Sequence, residues 1–429
     1  MDADLQEPTM TLTRREALTL TAAAFAGPAA CRSTGEAVAQ TVESQPAAVP
    51  AALPDRASFS LGDTVYLNAG SQHPFSKQAR TSVDAYLRHR ETHAPDDGYE
   101  LNSDAAIEKF ARLVNADPEE ITWVQSTTAG EQMIVRSLGL PERGAKVVTD
   151  TLHFFGSFPL YGELERQGCE VAWVEARDGR ISVEDMDRAI TPGTKLVSLS
   201  LVSTINGFEH DLKAVCDLAH SRGALVYADI IHAAGCVPVD LHASGVDFAA
   251  CASYKWLMGD FGLGFLYVRK SAMEHLTRTN YGYYGISQFS THMYPFDAPG
   301  EDLMEYEFAD TASGWFALGT HSHTVIAQLN ASLDYILDLG VETIQAHAQT
   351  LTARLKQGLH SQGFTLMTPE DARTPIVTAL YEDAYKRLAP AMKERGIVTT
   401  LSRNRFRPTV SVFNTTDDID AFLEAVGTA

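Results

Sequence analysis

Basic residues are in short supply in this 429-residue chain. Lysine and arginine number 34 against 55 aspartates and glutamates, for a net charge of −21. A surface this acidic repels nucleic-acid backbones and anionic membranes, so no charge-driven binding to either is expected. The ordinary consequence of such a charge is solubility. Cysteine is scarce as well. Cys31, Cys169, Cys216, Cys236 and Cys251 form no C-x-x-C pair, which argues against a structural zinc site. Cys236 and Cys251 lie in apolar stretches and read as core thiols. His321 and His323 come nearest to a metal cluster, but no third ligand is close to them, so no metal is expected. Internal repeats are lacking, and low complexity is confined to the N-terminal region.

What is present suits a large folded core: 45% of residues are hydrophobic and 21% charged. The length suggests two or three domains, each of about 100–200 residues. Near the N-terminus, Thr13-Arg14-Arg15-Glu16-Ala17-Leu18 precedes an Ala-rich apolar run that ends near Ala30. Twin arginines before such a run resemble a Tat export signal. The run falls short of the roughly 20 residues of a membrane span. Ala37-Val38-Ala39 offers a cleavage site before Gln40. Ala29-Ala30-Cys31 loosely resembles a lipoprotein box, with Pro28 where an aliphatic residue is usual. The expectation is a signal over 1–40 and release to the periplasm or medium. A lipid anchor and an uncleaved cytoplasmic tail are the alternatives. Residues 41–57, rich in Ala and Pro, read as a linker.

From about 105 to 270, apolar runs alternate with helical patterns. The runs are Lys146–Thr149, Glu170–Val174, Lys195–Val202, Ala224–Ala228, Phe248–Cys251 and Gly264–Val268. Val, Leu and aromatic residues dominate several, as in strands covered on both faces. Leu212–Arg222 reads as a helix stopped by Gly223. The alternation predicts an α/β domain with a mostly parallel sheet, which binds ligands at the carboxyl ends of its strands. Beyond Trp315 the pattern becomes a smaller α+β unit. Helices are expected over Val325–Leu337, Val341–Leu359, Tyr385–Arg395 and Asp417–Val426, with strands near Ile376–Leu380 and Ile397–Thr400.

Asp229 ends the run Ala224–Ala228, and Lys255 lies just beyond the run Phe248–Cys251. Two strand ends thus deliver a carboxylate and a lysine to one sheet edge. A carboxylate about 4 Å from a cation, at an effective dielectric near 20, contributes roughly 4 kcal/mol. That is about three pKa units, enough to keep a pyridine nitrogen protonated at neutral pH. A lysine behind an apolar run, followed by Trp256 and by Gly259, Gly262 and Gly264, is desolvated and inclined to the free amine. The bland alternatives are a turn or N-cap aspartate and a snorkelling lysine. Gln125-Ser126-Thr127-Thr128-Ala129-Gly130 leads into a helical stretch and suits a phosphate, although helix capping selects the same residue types. Phosphate loop, acid and lysine together are the equipment for pyridoxal phosphate (PLP).

These residues resemble the class V aminotransferase family of fold-type I PLP enzymes, which includes cysteine desulfurases, kynureninase and isopenicillin N epimerase-like proteins. The resemblance runs from about 63 to 426. It is carried by Tyr66-Leu67-Asn68-Ala69-Gly70, Ser126–Gly130, Asp229-Ile230-Ile231-His232-Ala233-Ala234-Gly235, Lys255-Trp256-Leu257 with Gly262–Val268, and Phe413–Asp420. It implies an α/β fold in which a large domain (81–320) carries a mostly parallel seven-stranded sheet. A smaller α+β domain (321–429) follows, and 58–80 packs with it.

By the same resemblance, Lys255 holds the cofactor covalently and Asp229 partners the pyridinium. His232 contacts the phenolic oxygen, Thr127 and Thr128 hold the phosphate, and Arg407 clamps a substrate carboxylate, a task suited to a planar guanidinium. Phe154 lies near the position of the ring-stacking side chain, with His153 one residue away. Thr204, Ser253 and Tyr254 fall at cofactor-contacting positions but depart from the usual residues. Thr204 stands for an asparagine, Tyr254 for a histidine, and Ser253 is displaced by one from the phosphate-binding serine. No cysteine follows Cys251, where cysteine desulfurases carry their sulfur acceptor. The expected function is therefore transamination or epimerisation at the Cα of an amino acid or a carboxylate-bearing amine. The export signal suggests that it tailors a secreted metabolite. C–S or β-elimination and a non-catalytic binding protein are the alternatives. A homodimer is implied, with Thr320 reaching a neighbour's phosphate.

Overall fold

The computed structural model describes residues 52–93 and 98–428. The twin-arginine segment, the Ala37–Ala39 site and most of the 41–57 linker lie outside them. Asp55, inside the expected linker, is buried instead. Its backbone N–H bonds Val412 O at 2.8 Å, and its carboxylate accepts from Tyr335 Oη at 3.0 Å. Ordered packing therefore begins before residue 57.

Two main sheets organise the described residues, which belong to one compact unit. The first strand, β1 (Val65–Leu67), belongs to the smaller sheet. The larger sheet contains β2 (Ile121–Val124), β3 (Lys146–Asp150), β4 (Glu170–Val174), β5 (Thr194–Ser200), β6 (Leu225–Asp229), β7 (Phe248–Ala252) and β8 (Gly264–Val268). Its order is β2-β8-β7-β6-β5-β3-β4. Strands β7, β6, β5, β3 and β4 run parallel, whereas β8 is antiparallel to both β7 and β2. Both faces are covered, so successive side chains enter different cores. Leu196, Tyr227, Phe248 and Ala250 join one cluster, while Val197, Ala228, Ala249 and Cys251 join the other. This explains why the strands read as continuous apolar runs.

The chain then forms a hairpin of β9 (Ile286–Thr291) and β10 (Met304–Phe308). The smaller sheet is completed by β11 (Thr365–Leu366), β12 (Ala379–Leu380), β13 (Ile397–Leu401) and β14 (Arg405–Arg407), in the order β1-β13-β14-β12-β11. Helices His323–Leu339, Val341–Ser361, Ala384–Glu394 and Thr416–Gly427 stand where amphipathic spacing places them. Leu351, Leu355, Leu359, Phe406 and Phe422 close the core of the smaller sheet. Full burial of each stabilises by about 1.5–3 kcal/mol. The sequence does not announce β1, β11, β14 or the β9–β10 hairpin. Two- and three-residue strands are too short to show a period, and β9 and β10 are largely solvent-facing.

Candidate active site

Parallel strands β5, β6 and β7 end side by side. Ser200 and Asp229, their last residues in β5 and β6, are register partners. Asp229 is then fixed by its own turn, because its Oδ1 accepts the Ile231 N–H at 2.9 Å. The chain leaves β7 through a tight loop that carries Lys255. Lys255 O accepts the Met258 N–H at 2.8 Å, and Ser253 O accepts the Gly259 N–H at 2.9 Å. The Ser253 hydroxyl also serves this loop, bonding Asp260 O at 2.7 Å and Leu263 O at 2.8 Å. Ser253, expected to contact the cofactor, is not on the wall of the cavity that Lys255 lines, and its one hydroxyl proton is shared by the backbone that shapes the lysine loop.

A cavity of about 150 Å³ collects most of the other expected residues. Its wall includes Thr127, Thr128, Phe154, Thr204, Asp229, His232, Tyr254 and Lys255, together with Ser126, Ser200, Ile231 and Ala252. Phe154, rather than His153, reaches the wall. Tyr254 stacks on Phe261, with centroids 4.4 Å apart and planes at 25°. The three hydroxyl residues begin helix Thr127–Ser137. Ser126 caps it by accepting the Ala129 N–H at 3.1 Å. The first amide groups of a helix have no intrahelical acceptor, which leaves Thr127 and Thr128 N–H for an anion.

Burial controls the charges. Asp229 is pushed up to about 6 by desolvation, against the opposing pull of the Ile231 N–H, His153 and Lys255. Desolvation lowers the Lys255 ammonium to about 8, against the pull of Asp229 and helped by the positive charge of Arg407. His232 lies well below the ordinary imidazole range, chiefly through burial and then through Lys255 and Arg407. Its hydrogen bonds agree. Trp256 Nε1–H donates to His232 Nδ1 at 3.4 Å, so the imidazole's own proton sits on Nε2. The 2.8 Å contact of Nε2 with Lys255 Nζ becomes an N–H donating to the amine lone pair once Lys255, lowered to about 8, has released its proton.

Arg407, from β14, stands behind Thr204 rather than on the cavity wall. Nη1 donates to Thr204 O at 2.7 Å and to Thr204 Oγ1, and Nη2 donates to Ser71 Oγ at 3.0 Å. Its buried Nε has no hydrogen-bond partner. Thr320 lies apart from the cavity, its hydroxyl 3.3 Å from Tyr284 Oη. Asn206, adjacent to the expected position, ties Gly179 O (2.7 Å) to Met367 O (3.2 Å) instead. Sequence reasoning missed Ser71 and Ser200, which are single serines without a motif. It also missed Glu131, whose helical spacing from Thr127 was the one available signal.

The donor set fits PLP. A buried lysine whose ammonium is lowered to about 8 suits an aldehyde, a buried carboxylate suits a pyridinium, and free amides at a helix start suit a phosphate. Phe154 supplies an aromatic face on the cavity wall.

Comparison with known proteins agrees. The family model for aminotransferase class V matches residues 77–401. A probable cysteine desulfurase from Halalkalibacterium halodurans is 26% identical over 395 residues, covering 84% of this chain and 92% of the relative. An uncharacterized aminotransferase, YcbU, from Bacillus subtilis is 24% identical, covering 75% and 82%. The crystal structure of the cysteine desulfurase CsdA from Escherichia coli superposes with a TM-score of 0.76 at 19% identity, covering 87% and 96%. Sequence, fold and site chemistry converge, and the chain belongs to the aminotransferase class V family of pyridoxal-phosphate enzymes.

Proposed function

We propose that this enzyme acts at the Cα of an amino acid, or of another carboxylate-bearing amine, and that amino transfer or epimerisation is the outcome. The observation that carries the reading is Lys255 Nζ held 2.8 Å from His232 Nε2 in a cavity that also contains Asp229. PLP, when bound, supplies the sink for the electron pair left at Cα. Lys255, buried and inclined to the neutral amine, takes up and returns the Cα proton at Nζ. His232 orients that amine by donating from Nε2. Asp229 provides the negative charge against the ring nitrogen. Arg407 orients the substrate carboxylate by exchanging its bonds to Thr204 and Ser71 for that group, with Nε as a spare donor.

Transfer of sulfur from cysteine to the enzyme needs a nucleophilic thiolate near this site. No cysteine follows Cys251, and burial pushes the thiols of Cys216, Cys236 and Cys251 upward. Elimination uses the same proton transfer and is the second reading. The setting proposed is an exported homodimer, resting on Arg14-Arg15 and on the family likeness.

The test is to mix PLP-loaded protein with a panel of L- and D-amino acids in deuterium oxide. Deuterium is expected to enter Cα, together with a 2-oxo acid (transfer) or the opposite enantiomer (epimerisation). Ammonia and a 2-oxo acid, formed with loss of a β-substituent, assign elimination instead. An absence of Cα exchange with every amino acid overturns the reading.

A further inference from the structure

Beneath the cavity lies a charged cluster that the mechanism above does not use. Glu131 sits in the second turn of helix Thr127–Ser137 and is 2% exposed. Its carboxylate accepts from His153 Nε2 at 2.9 Å, from Ser198 Oγ at 3.0 Å, and from the hydroxyls of Ser157 and Tyr161. A buried carboxylate is expensive unless it is paired and hydrogen-bonded, and here both conditions are met. His153 is fully buried, and its other nitrogen points toward the active site. His153 Nδ1 lies 2.9 Å from Ser200 Oγ, which also accepts the Phe154 N–H at 3.1 Å.

The protonation state of His153 decides what Ser200 does. A neutral ring with its proton on Nε2, facing Glu131, leaves Nδ1 as an acceptor that draws the Ser200 proton inward. A doubly protonated ring donates from both nitrogens. Ser200 Oγ then accepts two N–H bonds, and its own proton turns to the cavity that Ser200 lines beside Asp229.

We propose that Glu131 and His153 are positioning residues that hold an imidazolium under the site, so that Ser200 presents its proton to the cavity and Asp229 keeps its negative charge. The inference rests on the placement of PLP against Asp229. The groups that face His153 are Glu131 and Tyr161 from two helices, Asp150 from the end of β3, and Asp229 from β6. Burial alone drives the imidazole toward neutrality, but Glu131 beside it, aided by Asp150 and Asp229, raises it above its ordinary value. Burial likewise raises the Glu131 carboxyl, and the charge and hydrogen bond of His153, with those of Ser157 and Tyr161, bring it below normal. The two directions agree on an ion pair. At Asp229 the pull of His153 exceeds the opposing push of Glu131, so the pair acts as a dipole with its positive end toward Asp229.

PLP affinity of the full chain, measured by absorbance against pH, tests this. In Glu131→Gln the ring loses its counter-charge, and in His153→Gln the charge itself goes. Both variants are expected to move the acid limb of PLP binding upward by about one pH unit, and to weaken binding about tenfold on that limb. Tyr161→Phe removes a donor but no charge and leaves the limb in place. A lower melting temperature with an unmoved acid limb makes the pair a structural rivet and overturns the proposal. Should the variants fail to fold, ¹⁵N-histidine spectra of the native holoprotein decide. A buried imidazolium that persists where ordinary histidines have lost their charge is expected, and a set of histidines that all lose their charge in the ordinary range overturns it. Failure of the wild type to bind PLP counts against the site itself. Binding that is lost in Asp229→Asn but unchanged in Glu131→Gln counts against this inference alone.

Discussion

Asp229 and Lys255 carry opposite charges and share one burden, since each is buried to do its work. Without cofactor, Asp229 titrates near 6 rather than near 3.8 because burial disfavours its charge. The folded protein therefore holds that proton more tightly than the unfolded chain does. The stability this confers is fully present below about pH 4 and is lost as pH rises through 6, amounting to about 3 kcal/mol. Replacement of Asp229 by Asn removes the titration. Apo Asp229→Asn is expected to be more stable than the apo wild type by up to about 3 kcal/mol at pH 7.5, with the difference vanishing toward pH 4. Urea denaturation at both pH values measures it, and a constant difference across that range would contradict the assignment. The same variant is expected to bind PLP poorly, a trade of stability against function. At this scale the site was legible where a residue ends a strand or starts a helix, as Asp229, Lys255, Thr127 and Thr128 do. The pairing of Glu131 with His153 was not, because a buried charge pair is defined by a partner 22 positions away.

Elements place those residues, and their legibility followed length and burial. Strands β3 and β5 to β8 are buried runs of five or seven residues, β4 is a partly exposed edge strand, and all could be read from apolarity. Strand β2 has four residues, and it joins the sheet only through β8. Less visible still is the seam between the turn after β6 and the lysine loop after β7. Gly235 lies there at φ +91°, and a Cβ at this position would sit 2.7 Å from Trp256 O. Trp256 follows Lys255 and donates to His232, so a displaced seam moves both groups. Gly235→Ala combines a left-handed backbone with a backbone clash, and it is expected to cost at least about 2 kcal/mol. Thermal unfolding measures that cost. The variant is also expected to lose the Lys255–cofactor absorbance before it loses its helical circular dichroism. Coincident loss of the two signals would place the seam outside the site.

At the scale of the whole molecule, the hairpin β9–β10 and its approach stand outside the site and carry no function assigned so far. Tyr281, Phe296, Leu303 and Tyr306 are all more than half exposed, and Phe296 is 99% exposed. Scattered surface apolars are ordinary, but several large exposed ones within one short stretch of chain suit an interaction surface. The segment lies next in sequence to Tyr284, whose hydroxyl meets Thr320. The homodimer proposed above would make a second copy of the chain its partner, and an obligate homodimer interface commonly buries more than about 2,000 Å². Sedimentation of the native protein is therefore expected to give twice the chain mass. Leu303→Asp combined with Tyr306→Asp places two charges in that surface and is expected to yield monomers. If Thr320 reaches the partner's phosphate, these monomers bind PLP about tenfold more weakly, and Thr320→Ala reproduces part of that loss in an intact dimer, since a hydrogen bond to a charged group contributes about 1.5–3 kcal/mol. A native monomer with full PLP affinity would show instead that one chain completes the site and that the exposed hairpin serves another partner.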